Sequence, residues 1–286
     1  MQSSRKPTII HPTDFSPVGD GAFSHALRLA LALKGRLFLL HVESEGDDGD
    51  EPHWDDFPGV RARLARWGLL EAGAPQSAVR DRLGIDVAKF DFRQSSAPHA
   101  VEAFAHDHGA DLMVLGTRGL TGFDRWLEGS MAERIADRLR VRTLFVSGHA
   151  RGFVDSETGA MRLSRILFPV DSTPDPEPAY GELEDWLREL DVSTRAVRAV
   201  HAGETPPRLR HGLAREQLKV EQIAGPAVEG IVDAAADADL IVMPTQGRQG
   251  FLDLLRGSTT QRVLRRAPCP VLAIPEAGDR SRDDDD

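Results

Sequence analysis

Residues 110–122 read Ala-Asp-Leu-Met-Val-Leu-Gly-Thr-Arg-Gly-Leu-Thr-Gly, and residues 238–250 read Ala-Asp-Leu-Ile-Val-Met-Pro-Thr-Gln-Gly-Arg-Gln-Gly. The likeness continues without a gap, so that segments 110–146 and 238–274 are identical at 14 of 37 positions. Unrelated segments of this length would share about two or three residues. The chain is therefore an internal duplication.

The openings of the two halves also correspond. Residues 7–14 read Pro-Thr-Ile-Ile-His-Pro-Thr-Asp, and residues 165–171 read Arg-Ile-Leu-Phe-Pro-Val-Asp. From this Asp to the glycine loop the second half is 29 residues shorter, and only residues 204–215 correspond to first-half residues 43–83. The 286 residues also amount to about twice a typical domain. We predict a first domain, a polar, glycine-containing linker that forms a loop, a second domain and a disordered acidic tail, at residues 1–148, 149–162, 163–278 and 279–286.

Apolar segments typical of short strands alternate with helical patterns in both halves. This alternation predicts βαβ units around a parallel sheet. We therefore expect an α/β protein of two tandem, doubly wound, parallel five-stranded domains. In the first half, strands are expected at 8–12, 36–42, 86–92, 111–116 and 142–147, and helices at 18–34, 57–72, 97–108 and 130–139. In the second half, strands are expected at 165–170, 193–201, 217–223, 239–243 and 270–274, and helices at 178–190, 226–236 and 259–267.

The composition excludes several classes of protein. The formal net charge of -10 has the wrong sign for a protein that mainly binds the nucleic-acid backbone. Cys269 is the sole cysteine, which excludes an intrachain disulfide. No apolar run approaches the ~20 residues of a transmembrane helix, and the opening residues lack the apolar segment of a signal peptide. We therefore expect a globular cytoplasmic protein that binds neither nucleic acid nor membranes.

The turn after the first expected strand and the glycine loop after the fourth meet at one edge of such a sheet, where ligands bind. Glycines let a ligand approach the backbone, and free N–H groups at a helix start favour an anion. A phosphate cradle is one interpretation, with Asp14 suited to ribose hydroxyls. The other is that the glycines only shape turns, because Ser130 and Ser258 open capping boxes that use the same N–H groups.

The glycine spacing of the first half, Gly116-x2-Gly119-x9-Gly129-Ser130, resembles the Gly-x2-Gly-x9-Gly-Ser/Thr signature of ATP-binding universal stress proteins. The Pro-Thr-Asp-Phe-Ser at 12–16 and the Leu-His-Val at 40–42 are also similar to that family. The resemblance covers both halves and nearly all of the chain outside the linker and tail. It implies five strands per half, in a fold related to adenine-nucleotide-binding sheets, and ATP in the sites.

The resemblance also implies which residues contact ATP in the first half. Adenine and ribose would be surrounded by Pro12, Thr13, Asp14 and Val42, and the phosphates would be lined by Gly116, Arg118, Gly119, Gly129, Ser130 and Met131. Members of the family usually pair two copies through the last strand, here 143–147 and 271–274. A tandem chain can make that pairing internally, and a homodimer is left open.

The second half departs from the signature. Pro244 stands where the first glycine is expected, which removes an N–H group and fixes φ at about -65°. Ala202 stands at the position of Val42, so the side chain expected to contact adenine is smaller. Other elements remain, so that a second site would be formed by Asp171, Gly247, Gly257, Ser258, Thr259 and Thr260. We expect ATP in the first half and leave the second site open.

No Walker-type loop, nucleophile elbow or kinase motif occurs, and the glycine loop lacks a lysine. We therefore expect no catalytic residues, no metal site in the protein itself and at most slow ATP hydrolysis. A Mg²⁺ ion accompanying ATP is left open. The expected function is stress-response regulation, in which bound ATP alters a surface presented to a protein partner that the sequence does not identify. Two alternatives remain, which are an interaction module without nucleotide and an adenine-nucleotide hydrolase.

His41 and His201 occupy matching positions at a strand end in the two halves. Neither lies in a catalytic motif or in a cluster with metal-ligand spacing. We expect both histidines to be structural.

Overall fold

The computed structural model describes residues 5–15, 19–43, 54–94, 96–117, 141–211, 216–245 and 259–276. The first half contains β1 (Thr8–Pro12), α1 (Gly19–Leu33), β2 (Arg36–Glu43), α2 (Val60–Arg66), α3 (Ser77–Leu83), β3 (Asp86–Arg93), α4 (Ala97–Asp107), β4 (Leu112–Thr117) and β5 (Arg142–Ser147). The second half contains β6 (Ile166–Pro169), α5 (Pro176–Glu189), β7 (Val197–His201), β8 (Leu209–His211), β9 (Glu216–Leu218), β10 (Val220–Gln222), α6 (Ala227–Ala234), β11 (Leu240–Thr245), α7 (Thr259–Arg266) and β12 (Val271–Pro275). None of these helices is long and apolar enough to cross a membrane.

Ten of the described strands form one sheet in the order β10-β7-β6-β11-β12-β5-β4-β1-β2-β3. Neighbouring strands are parallel within each half. The halves meet where β5 and β12 pair in the antiparallel sense, with Leu144 opposite Leu272. The expected α/β fold of two five-stranded parallel units is confirmed, and the two units share a continuous sheet.

One expected helix ends early, and a further helix that the sequence did not predict follows it. The pattern at 57–72 predicted a single helix, but α2 ends at Arg66 and a separate helix, α3, begins at Ser77. Between them lie Gly68 and Gly73, with φ of 69° and 78°. This left-handed backbone interrupts a right-handed helix, and glycine adopts it without a steric penalty.

Two expected strands of the second half are shorter than predicted. Ser193 accepts a hydrogen bond from the N–H of Arg195 at 3.3 Å and starts a 3₁₀ turn, so β7 begins only at Val197. The expected strand 217–223 is divided at Lys219 into β9 and β10. The first piece pairs with β8 in a separate antiparallel sheet that the sequence did not predict. The expected helix 130–139 lies outside the described residues.

One large core covers the face of the sheet that carries α1 and α5. It includes Leu27 of α1 and Trp186 of α5, both fully buried, and therefore extends through both halves. Two smaller clusters lie on the other face, one with Phe104 of α4 and one with Val263 of α7. The duplicated units therefore share hydrophobic packing on one face and pack separately on the other.

The linker is a loop, as expected, with one isolated antiparallel β-bridge between Val154 and Met161, and it packs against the first half. His25 of α1 accepts hydrogen bonds through Nε2 from the N–H groups of Phe153 and Val154, at 3.1 and 3.2 Å. Both of these linker residues are buried. Trp67 donates its indole N–H to the Ser156 carbonyl at 3.0 Å. The linker thus contributes to the core, which its polar composition did not indicate.

Candidate functional site

The first candidate site lies where strand order reverses in the first half. The chain runs from β1 outward to β2 and then returns to β4 on the other side of β1. Of the predicted contacts, the structure places Pro12 at the end of β1, Val42 near the end of β2 and Gly116 near the end of β4. These three adjacent strands are parallel, so the three residues share one edge of the sheet. The predicted phosphate contacts Arg118, Gly119, Gly129, Ser130 and Met131 lie outside the described residues.

The strands β1 and β4 separate toward this edge. Their ladder contains only the pairs Ile9 with Leu112 and Ile10 with Met113, whereas β1 and β2 pair over five residues. Further along, the His11 side chain takes over the contact, because its Nδ1–H donates to the Val114 carbonyl at 2.9 Å. A crevice beyond the carboxyl ends of the strands is the usual ligand position in an open α/β sheet.

His11 is a neutral buried histidine beside this crevice. Its side chain is almost inaccessible, and burial lowers its pKa below the ordinary value of 6.5. The hydrogen bond to Val114 and the negative charge of Asp14 act in the opposite direction but have smaller effects. Since Nδ1 carries the proton, Nε2 is left as an acceptor, and it has no partner among the residues that the structure describes. Sequence reasoning did not select this residue.

The turn after β1 is fixed by two hydrogen bonds. Thr13 donates its N–H to the Leu40 carbonyl at 2.8 Å, which continues the contact between β1 and β2 past the end of the strand. The buried Thr13 hydroxyl accepts the Phe15 N–H at 3.1 Å. Phe15 has φ of 58°, a backbone conformation that costs a residue other than glycine about 1–3 kcal/mol. Asp14 lies between these two residues with its side chain exposed.

Aromatic packing stabilises the strained residue. The Phe15 ring stacks on His41 with centroids 4.1 Å apart and meets Phe57 edge-on at 5.1 Å. The His41 Nδ1–H donates to Asp91 Oδ1 at 3.0 Å, and both of these side chains are nearly buried. The structure therefore joins the Asp14 turn to the last residues of β2 and β3. Neither Phe15 nor Asp91 was a predicted site residue.

Val42 and His41 point to opposite faces of the sheet. Val42 packs with the cluster around α4, on the side of Phe38 and Leu40. His41 instead contacts Phe15, which packs against the core on the α1 side. This alternation follows from the two-residue period of a strand. The predicted adenine contact Val42 therefore belongs to a different face from the side chains that hold the Asp14 turn.

The second half repeats the separation of strands but forms a different turn. The ladder between β6 and β11 again contains two pairs. Asp171 is exposed, and its Oδ1 accepts the Ser172 N–H at 2.7 Å. The His201 Nδ1–H donates to the Val170 carbonyl at 2.9 Å, while the ring packs against Gly203. The second histidine is therefore held by backbone and has no ring stacked on it among the described residues.

The other predicted residues of the second site are partly described. Pro244 lies within β11 and pairs with Ile274 of β12. Thr259 is exposed at the start of α7 and Thr260 is buried in its first turn. Gly247, Gly257 and Ser258 lie outside the described residues. The structure thus brings Asp171 and the end of β11 to one edge and leaves the intervening loop undescribed.

The repeated aspartates have a structural role at the opposite edge. Asp111 Oδ2 accepts the Thr8 N–H at 2.7 Å, and Asp239 Oδ2 accepts the N–H groups of Ser164 and Arg165 at 2.9 and 3.0 Å. Asp111 therefore links the start of β1 to the start of β4, and Asp239 links the residues before β6 to the start of β11. Identity between the halves at these positions reflects the scaffold and not the candidate site.

A cavity of about 150 Å³ also lies away from the candidate site. It is lined by residues at the amino-terminal ends of β1, β4 and β5 and at the end of α5, among them Arg5, Arg142, Trp186 and Glu189. Within the described ranges, no group of three or more His, Cys, Asp or Glu side chains could hold a metal ion. The chemistry expected at the carboxyl edge therefore depends on the Asp14 turn and the glycine loop.

Comparisons with known proteins agree on one family. The model of the universal stress protein family matches residues 7–147 and 165–275. A universal stress protein of Mycolicibacterium smegmatis is 26% identical over 96% of this chain and 99% of its own length. One from Thermus aquaticus is 43% identical over 35% of this chain and 71% of its own length.

A solved structure shows the same fold over nearly the full length. The crystal structure of a universal stress protein from Archaeoglobus fulgidus covers 96% of this chain and 98% of its own, with a TM-score of 0.63 and 17% identity. The family model matches most of the chain in two separate segments, each with the same strand order. The chain therefore belongs to the universal stress protein family and carries the family's domain twice in tandem.

Proposed function

We propose that this protein is a stress-response regulator that binds ATP in its first half and presents a nucleotide-dependent surface to a partner protein. The observation that carries the proposal is the Asp14 turn, placed beside the end of β4 where β1 and β4 separate. Gly116, at the end of β4, is the first glycine of the spacing that continues to Ser130 and resembles the signature of ATP-binding members.

The described residues fit a nucleoside at this edge. Asp14 offers an exposed carboxylate, which can accept hydrogen bonds from ribose hydroxyls. Gly116 has no side chain at the end of the neighbouring strand, so a ligand can approach the backbone there. Thr13 is held from both sides by its own hydrogen bonds, so the turn is ordered before a ligand arrives. Little conformational entropy is then lost on binding.

The charge of the protein makes the glycine loop the expected phosphate contact. With a formal net charge of -10, the chain as a whole repels a polyphosphate. Binding therefore needs local donors, and the sequence offers Arg118 together with the backbone N–H groups around Gly119 and Gly129. Bound ATP would add negative charge to the protein. This added charge is how the nucleotide-bound protein would present a different surface from the nucleotide-free protein.

The second half is less suited than the first to bind a nucleotide. Pro244 stands at the end of β11 where Gly116 stands at the end of β4, and it cannot donate an N–H group. Within the part of the chain that the structure describes, no aromatic ring packs on the turn at Asp171 as Phe15 and His41 pack at Asp14. We therefore assign the proposed nucleotide to the first half alone, with no more than slow hydrolysis, since no lysine accompanies the glycine loop.

The proposal is tested by ATP titration of the purified chain, after removal of nucleotide that copurifies with it. Titrations with Mg²⁺ and with a chelator decide whether the ion is required. Gly119→Ala should weaken binding about tenfold or more, because a methyl group would obstruct close approach to the backbone. The matched control is Gly247→Ala, at the repeat position of the second half, which should bind as the unchanged chain does. Absence of any affinity below millimolar would overturn the proposal.

An interaction module without nucleotide is the second candidate. It is favoured by the capping-box sequences that begin at Ser130 and Ser258, whose side chains would use the N–H groups that a phosphate needs. Under this alternative, neither the unchanged chain nor Ser130→Ala binds ATP, and the variant only lowers the stability of the protein. Under the ATP proposal, the same variant weakens ATP binding. Comparing the two measurements on Ser130→Ala separates the candidates.

A further inference from the structure

We propose that Asp91 and His41 are positioning residues for the nucleotide, acting on Asp14 through Phe15. The inference rests on the proposed function and extends it to side chains that contact no nucleotide themselves. Four residues from four segments form the set, which we name the turn support: Phe15, His41, Phe57 and Asp91.

The first contact of the turn support fixes the histidine. His41 and Asp91 are partners in the register between β2 and β3, so their backbones are already held side by side. The Nδ1–H of His41 donates to Asp91 Oδ1 at 3.0 Å, and the two side chains are only 13% and 8% exposed. A carboxylate at Nδ1 sets both the tautomer and the orientation of an imidazole ring.

The second contact transmits that orientation to the turn. The His41 ring lies under the Phe15 ring with an interplanar angle of 29° and a centroid distance of 4.1 Å. Phe57 also contacts the Phe15 ring, edge-on at 74°. Phe15 needs such packing because its positive φ is unfavourable for a residue with a β-carbon.

Asp14 is the residue whose position this packing decides. It is preceded by Thr13, whose N–H is bonded to Leu40, and followed by Phe15, whose N–H is bonded to the Thr13 hydroxyl. Its exposed side chain therefore projects from a backbone fixed on both sides. A carboxylate that is exposed yet held in place can bind ribose hydroxyls without a large loss of conformational entropy.

The second half provides a comparison within the same molecule. Gln222 occupies the register position opposite His201, where the first half has Asp91 opposite His41. Ser172 follows Asp171, where Phe15 follows Asp14. The His201 ring is accordingly oriented by the Val170 carbonyl and not by a carboxylate. The turn support is therefore a feature of the half to which we assign the nucleotide.

The test compares Asp91→Asn with Asp86→Asn, a matched change on the same strand. Asp86 lies at the other end of β3, where it pairs with Lys6 and Arg80. Binding of ATP and of 2′,3′-dideoxy-ATP is measured for each variant, along with the midpoint of unfolding. We expect Asp91→Asn to weaken ATP binding about fivefold and dideoxy-ATP binding less than about twofold, since only ATP has the hydroxyls that Asp14 would contact. Asp86→Asn should leave the ratio of the two affinities unchanged.

A second variant and a double variant keep the test decisive. Phe15→Leu removes the stacked ring without touching β3 and should lower the same affinity ratio. In the Asp14→Ala background, Asp91→Asn should change ATP affinity less than about twofold, because its effect passes through Asp14.

The outcomes separate this inference from the function on which it rests. Equal loss of both nucleotides, or full additivity with Asp14→Ala, would overturn the positioning role while ATP binding stands. Failure of the unchanged protein to bind ATP would overturn the proposed function and the positioning role together.

Discussion

The two halves share a strand order and differ in the turn that follows their first strand. In the first half, Phe15 in a left-handed conformation is stacked on His41, and Asp14 is exposed beside it. In the second half, Ser172 donates to the preceding Asp171, and His201 is bonded to the backbone. The sheet has thus been kept in both copies while the strand-end turns have diverged, which is where function resides on such scaffolds.

The halves also differ in their relation to the linker. The linker packs on α1 through His25 and on the segment after α2 through Trp67, both in the first half. Its contact with the second half includes the N–H of Arg151, bonded to the Pro268 carbonyl at 2.9 Å. The extra length of the first half, through Trp67, therefore supplies part of the surface on which the linker packs.

The largest expected effect on stability comes from the pairing of β5 with β12, where the two halves meet. Leu144 and Leu272 are cross-strand partners in β5 and β12, and both are fully buried in the shared core. We expect Leu144→Ala and Leu272→Ala each to lower the free energy of unfolding by about 2–5 kcal/mol. Hydrogen exchange should then rise at β1 and at β6 in both variants. The control Leu69→Ala removes a side chain that is 42% exposed and should have little effect. Faster exchange in one half only would contradict a shared core.

The contact between His25 and the linker predicts that the stability of the protein depends on pH. Burial lowers the pKa of His25 to about 4, outweighing the hydrogen bond from its Nδ1 to the Gly21 carbonyl. The unfolded chain therefore binds the proton first, at an ordinary pKa of 6.5. Stability from His25 is complete above pH 6.5 and is lost as the pH falls toward 4, by about 3 kcal/mol in total.

The variant His25→Leu isolates this contribution. It leaves the N–H groups of Phe153 and Val154 without their acceptor, so it should be less stable than the unchanged chain at pH 7. The two unfolding free energies should converge as the pH approaches 4. His106→Gln, at a side chain that is 87% exposed, should keep the slope of the unchanged chain. A constant difference between the unchanged chain and His25→Leu at every pH would refute the assignment.

The two exposed aspartates should differ in nucleotide binding. Asp14→Ala is expected to weaken ATP affinity by about 10- to 100-fold, the range for losing hydrogen bonds to a charged group. Asp171→Ala should change it less than about twofold, because its turn carries no proposed nucleotide. Calorimetric titration measures both variants. Equal losses would show that the halves do not differ in function as proposed.

The smallest expected effect lies at the rim of the linker. Arg66 and Glu157 form an ion pair at 3.3 Å, with side chains 54% and 76% exposed. A double-mutant cycle with alanine should give a coupling of about 1 kcal/mol or less. The value should fall further in high salt. A coupling as large as the His25 contribution would show that surface charges, and not the buried hydrogen bonds, stabilise the linker.

The regular elements could be predicted from sequence because their signals are local. The apolar runs of β1, β4 and β11 and the repeat itself are visible along the chain, and they fix the α/β class and the duplication. The early end of the helix at Arg66 could not be predicted from periodicity, because the decisive feature is the left-handed backbone at Gly68. The packing of the linker was likewise hidden, since its few apolar residues give no pattern.

The candidate site was predictable only in part. Asp14 and Gly116 could be selected because they carry the motif that resembles the family's signature. Asp91 could not, because its contact with His41 depends on the register of two strands that lie 50 residues apart. Phe15 was visible in the motif, but its role follows from a positive φ and a stacked ring, which no local pattern shows.

The central claim is that the two copies differ in nucleotide binding. Native mass spectrometry of the full chain with saturating ATP counts the nucleotides bound, and repeating it with Gly119→Ala and Gly247→Ala assigns them to a half. We predict one ATP per chain, lost in Gly119→Ala and kept in Gly247→Ala. Two nucleotides per chain, none, or a single one lost in Gly247→Ala would contradict the account.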